Sequence, residues 1–157
     1  MSFDDFLKAL PPVLVVIGWI LVNHQNDKRE LRKEARALVD AAKKSIVELA
    51  AKAVSYHVDG KVDTAYEIKA GIEALVVECE RQPGASFLRN SPLMLCLVAF
   101  ADAMTGGDFE SQSPQKKSPT SPEVAVILRT RTAMISELER VFRVHYLNQG
   151  GSSRPWG

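Results

Sequence analysis

Few residues in this chain could carry reaction chemistry. Three histidines (His24, His57, His145) and two cysteines (Cys79, Cys96) are the side chains best suited to bind a transition metal or attack an electrophile. A metal would need them at ligand spacing, and they are scattered instead. Cys79 lies between Glu78 and Glu80, whose charges raise a thiol pKa and make a poor nucleophile. His57 and His145 fall near helix ends, where a protonated imidazole suits the helix dipole. The carboxylate pairs Asp4 with Asp5 and Glu78 with Glu80, like Glu67 and Glu73, sit on polar helix faces. No Gly-rich loop follows a strand, and neither a phosphate-binding GxxxxGK[ST] nor a GxSxG nucleophile turn occurs. The expectation is a non-enzymatic protein with no cofactor, no metal and no small-molecule substrate.

The residues with the clearest physical message are cations. Lys28, Arg29, Arg32, Lys33 and Arg36 lie within about 15 residues of the end of the apolar run Ala9–Val22, itself 14 residues long. Such a run is shorter than the ~20 residues that cross a bilayer core. Counting from Phe3, where Phe3, Phe6, Leu7 and Leu10 form one apolar face, gives 20 residues with Lys8 as the one interior cation. The expected span residues are Leu10, Val13, Leu14, Val15, Val16, Ile17, Trp19, Ile20, Leu21 and Val22. Nine of them, all Leu, Ile or Val, contribute roughly −0.3 to −0.6 kcal/mol each to insertion. Pro11 and Pro12 remove two backbone donors and are expected to kink or restart the helix. A cleaved signal peptide fits poorly, because the flank before the run is acidic and no small-x-small site follows it. The five cations after the run, against Lys8 before it, put the N-terminus outside and the remainder in the cytoplasm. Lys28, Arg29, Arg32, Lys33 and Arg36 are thus expected to set topology and meet anionic headgroups.

The elements that position these residues read as helices throughout. The expected fold is all-α: a single N-terminal transmembrane or anchor helix, a long juxtamembrane helix, and a small antiparallel bundle. The anchor occupies residues 1–26 and a three-helix portion of the bundle residues 27–105. The juxtamembrane helix, 27–57, buries Leu31, Ala35, Leu38, Ala42, Ile46, Leu49, Ala53 and Tyr56 at spacings of three and four. A turn at Asp59-Gly60 leads to a helix over 64–81, where Thr64 to Glu67 reads as a capping box. Pro83-Gly84 breaks that helix. The next, 92–105, has Ser91 as N-cap and is apolar all round from Leu93 to Ala101, which predicts the central buried helix. A flexible Ser/Pro linker, 106–121, carries three Ser-Pro dipeptides around Lys116 and Lys117. The last helix, 122–148, packs on the bundle through Ile127, Met134, Leu138, Val141 and His145, with Glu139 and Arg143 as a supporting pair. Residues 149–157 form a disordered tail.

At 157 residues, 25% charged and 46% hydrophobic, with net charge +1, the chain is sized for one domain and lacks the basic excess of a nucleic-acid binder. The arrangement resembles the general type of small bacterial protein with one N-terminal span and a helical cytoplasmic domain. Three functions fit it. The first is a single-pass inner-membrane protein whose bundle is an interaction or regulatory module, with the lipid bilayer and a protein or a second copy as partners. The second is a small membrane effector, a toxin, holin-like or host-defence protein, that oligomerises through its short span. The third is a soluble bundle whose apolar N-terminus docks on a partner.

Overall fold

The computed structural model describes residues 3–81, 91–111 and 114–146, with the side chains of residues 3–25, 80, 81 and 91 outside the description. The tail 149–157, the Pro83-Gly84 break and residues 112–113 of the Ser/Pro segment also lie outside it. Four helices follow one another: α1 (Phe3–Asp59), α2 (Thr64–Arg81), α3 (Ser91–Thr105) and α4 (Pro122–Tyr146). Among the described residues there is no strand. The chain divides into two units, residues 1–34 and 35–157.

The first correction concerns α1. The expected anchor and juxtamembrane helices are one continuous helix of 57 residues, with no restart at Pro11 and Pro12. Between Val22 and Asp27 the chain has no Gly or Pro to end a helix, so nothing separates the apolar run from the charged one. Among the described residues, no helix is long and apolar enough to cross a membrane. The span residues Leu10, Val13, Leu14, Val15, Val16, Ile17, Trp19, Ile20, Leu21 and Val22 lie on α1, but their side chains fall outside the described part.

In the unit 35–157 the core draws on all four helices. From α1 it takes Ala35, Val39, Ala42, Ile46, Leu49, Ala50, Ala53 and Tyr56. The stripe therefore begins at Ala35. Leu31, expected inside, is 53% exposed, and Val39, not expected, is fully buried. Helical spacing gives the reason. Positions 28, 32, 35, 39, 42 and 46 run down one side of α1, and the first two of these are Lys28 and Arg32. The buried line ends where its next residues are cations. The alanines keep α1 slim, so neighbouring helices approach closely. At Gly71 on α2 an added Cβ would run into the Leu49 side chain.

The second correction concerns α3. Its Leu93, Leu97, Phe100 and Met104 are buried, but Leu95 is 69% and Val98 55% exposed. The helix packs along α4 and touches α2, which leaves its outer face to solvent. Four helices around one core give each helix an inside and an outside, and uniform apolar composition does not change that. On α4, Val124, Ile127, Met134, Leu138, Val141 and Phe142 are buried. Leu128 is exposed, and His145, expected in the stripe, is only half-buried. Thr64 does not close a capping box: its hydroxyl donates to the Lys61 carbonyl at 2.7 Å, and Glu67 pairs with Lys52 across to α1.

Candidate functional site

The five cations of α1 separate into two groups. Lys28, Arg29 and Arg32 are exposed and form no ion pair or hydrogen bond among the described residues. Lys33 pairs with Glu30 one turn back at 3.3 Å. Arg36 is held most firmly. Its Nε donates to Asp40 Oδ2 at 3.1 Å, one terminal nitrogen lies 2.9 Å from Asp40 Oδ1, and the other donates to Glu139 Oε2 of α4 at 3.0 Å. Its guanidinium carbon also stands 5.4 Å from the centre of the Phe142 ring, within cation–π range. Arg36 is thus engaged by Asp40, Glu139 and Phe142 within the bundle, while its side chain stays 42% exposed.

Glu139 also accepts from Lys43 of α1. The Lys43 ammonium is held below the ordinary lysine range, first by burial and then by the Arg36 charge. One carboxylate thus clips two cations of α1 to α4. It is engaged there, and the expected pair with Arg143 is not what it forms. Helical spacing along α4 pointed to Arg143. The true partners are 103 and 96 residues away in sequence, a distance no local pattern reveals. The like-charge neighbours Arg36 and Lys43, needing one carboxylate between them, were the signal that could have found it.

A second cluster occupies the corner where α1 turns into α2. His57 is 3% exposed, and its Nε2 lies 3.1 Å from the Met104 carbonyl near the end of α3. It lies in the last turn of α1, as expected, and is at the same time buried against the end of α3. The segment 106–121, read as a flexible linker, is tied to this corner by specific bonds. Glu110 N–H donates to the Tyr56 hydroxyl at 3.0 Å, and Lys117 N–H donates to the His57 carbonyl at 2.7 Å. Phe109 packs on the Tyr56 ring with centroids 5.0 Å apart. Glu110 has φ 65°, an uncommon conformation for a residue with a Cβ, and its side chain pairs with Lys69 of α2. Ser and Pro content signalled a loop. It did not signal where Phe109 and Glu110 attach, because those partners come from other helices.

Asp108 organises this segment from within. One of its carboxylate oxygens accepts Gln115 N–H at 2.5 Å, while the other is buried without a partner among the described residues. The Gln115 bond, helped by the charges of Lys117 and His57, holds the carboxyl below the usual aspartate range against the opposing effect of desolvation. A folded pKa below the unfolded value contributes stability above the unfolded pKa, about 4, that is lost as pH falls through the folded value. The Gln115 amide should therefore exchange with solvent faster as pH is lowered from about 5 towards about 2, after correction for intrinsic exchange. In Asp108→Asn, whose amide oxygen can still accept but does not titrate, the protection should not change with pH over that range. A wild-type protection factor constant over that range would refute the assignment.

Among the described residues, two concavities border these clusters. A groove of about 160 Å³ between α1 and α2 is lined by Glu48, Leu49, Lys52, Glu67, Gly71 and Glu78 among others. Burial raises the Glu78 carboxyl there. A wider cavity of about 320 Å³ beside His57 is bordered by Asp102, Gly106, Glu123 and Val126. Among the described residues, no three His, Cys, Asp or Glu side chains are arranged to hold a metal ion. Cys79 is buried and Cys96 half-buried. The Cys96 thiol is pushed up by burial and by Glu137, which disfavours the thiolate.

The fold and these sites define an all-helical bundle built on one extended N-terminal helix. No protein family matches the chain, and neither does any curated protein or solved structure.

Proposed function

We propose that this chain is a non-enzymatic, single-pass inner-membrane protein whose helical bundle is a cytoplasmic interaction or regulatory module. One observation carries the reading. The same helix, α1, bears the apolar run Ala9–Val22, then Lys28, Arg29 and Arg32, which have no partner among the described residues, and then the core stripe that starts at Ala35. Apolar residues followed by unpaired cations are what a stop-transfer boundary requires. The cations resist translocation and remain on the cytoplasmic side, so the N-terminus is outside and the bundle inside. The partners are the bilayer and a protein, or a second copy of this chain, recognised through helix faces.

Alkaline carbonate extraction of membranes from cells making the full chain tests the anchor. The protein is expected in the pellet with integral proteins. Release into the supernatant would overturn this reading in favour of a bundle whose apolar segment docks on a partner.

A further inference from the structure

We propose that Lys28, Arg29 and Arg32 form a binding site for the phosphates of anionic lipid headgroups, whereas Lys33 and Arg36 take no part in it. The inference rests on the anchored reading of residues 9–22 and names the ligand of the boundary that follows.

Three observations support it. The triad consists of exposed cations with no ion pair or hydrogen bond among the described residues, while Lys33 is satisfied by Glu30 and Arg36 by Asp40 and Glu139. The triad is also compact. Lys28 and Arg32 are one turn apart and Arg29 lies between them, so the three span about 6 Å along the axis. Like charges at such spacing repel, and an anion between them removes the repulsion. The acids of the same stretch, Asp27, Glu30 and Glu34, fall on the opposite side of the helix at 100° per residue. Finally, Leu31, exposed to 53%, is an apolar side chain at the same level. Such a side chain offers the headgroup boundary an apolar contact beside the cations that meet phosphate.

Distance along α1 is consistent with this role. Residues 28–32 lie six to ten positions beyond Val22, about 9–15 Å along a helix. Long basic side chains on a helix lean toward its N-terminus and reach back by snorkelling. That brings their charged ends to the phosphate layer above the hydrocarbon core.

The test reconstitutes the full chain into phosphatidylcholine vesicles, with and without phosphatidylglycerol. The preference of spin-labelled phosphatidylglycerol over phosphatidylcholine for the protein surface is then measured. Wild type should prefer the anionic lipid, and added salt should weaken the preference. The triple variant K28Q/R29Q/R32Q should lose the preference, and K33Q should keep it. Equal selectivity in wild type and triple variant, or loss in K33Q, would overturn the proposal. So would displacement of the anionic lipid by a DNA duplex, which would mark the triad as a nucleic-acid contact. Flotation with pure phosphatidylcholine vesicles reads the anchor separately. If the chain fails to float there, the anchored reading falls. The triad is then judged by whether wild type, but not the triple variant, floats with phosphatidylglycerol-containing vesicles.

Discussion

Replacing Phe100 with alanine should lower the stability of the bundle by about 3–5 kcal/mol, whereas Leu95→Ala on the same helix should change it by less than ~1 kcal/mol. Both residues are large and apolar and stand five positions apart. Phe100 is fully buried and Leu95 is 69% exposed. Removing the Phe100 ring forfeits its transfer free energy and opens a cavity in the close-packed core to which it belongs. Removing Leu95 exposes little that was not exposed already. For a chain of this size the first change lowers the thermal midpoint by about 10 °C, measured by circular dichroism on the full chain in mild detergent. Similar losses for the two variants would mean that α3 is enclosed on all sides, as its composition alone suggests.

Glu139→Ala should be the most damaging single change on the polar surface, at about 2 kcal/mol, within the range for hydrogen bonds to charged groups. It leaves Arg36 and Lys43 with Asp40 alone to offset their charges, and the Lys43 ammonium is already disfavoured by burial. Arg36→Lys keeps the charge. It still loses the two-pronged bond to Asp40 and the stacking on Phe142, so it should recover only part of the stability. Glu137→Ala, on the same helix, removes a local pair with Arg140 one turn away and should cost less than Glu139→Ala. Thermal unfolding of the three variants in parallel checks the order. Equal effects of Glu137→Ala and Glu139→Ala would remove the distinction between a pair along one helix and a clip across two.

Much of the fold was legible in order of residues. The boundaries of α2, α3 and α4 follow from Asp59-Gly60, Thr105-Gly106-Gly107 and Ser121-Pro122, because turn and cap residues act on the backbone next to them. Ser121 accepts Val124 N–H at 3.4 Å as an N-cap. The inner faces of α2 and α4 were also readable, since apolar spacing of three and four is a property of each helix alone. Met134 and Leu138 are buried as expected, and Ile68 and Leu75 are buried on the inner face of α2.

What the order of residues did not reveal depends on how many neighbours a helix has. Val39 was overlooked and Leu31 assigned inside, because α1 carries apolar and alanine residues on adjoining lines. Which line is buried depends on where α2 and α4 lie.

The sequence by itself determined that the chain is helical, where the helices after α1 begin, and that a dense cationic stretch follows an apolar one. These are consequences of local backbone preference and of charge written directly in the residues. Only the tertiary structure decided which of the five cations have protein partners. It took Arg36 out of the cationic stretch by bringing Glu139 and Phe142 to it from α4. It also seated Phe109 and Glu110 on Tyr56 at the α1–α2 corner. A charge pair or a ring contact between distant segments forms when the whole core collapses. Its partners are set by which helices that collapse places side by side.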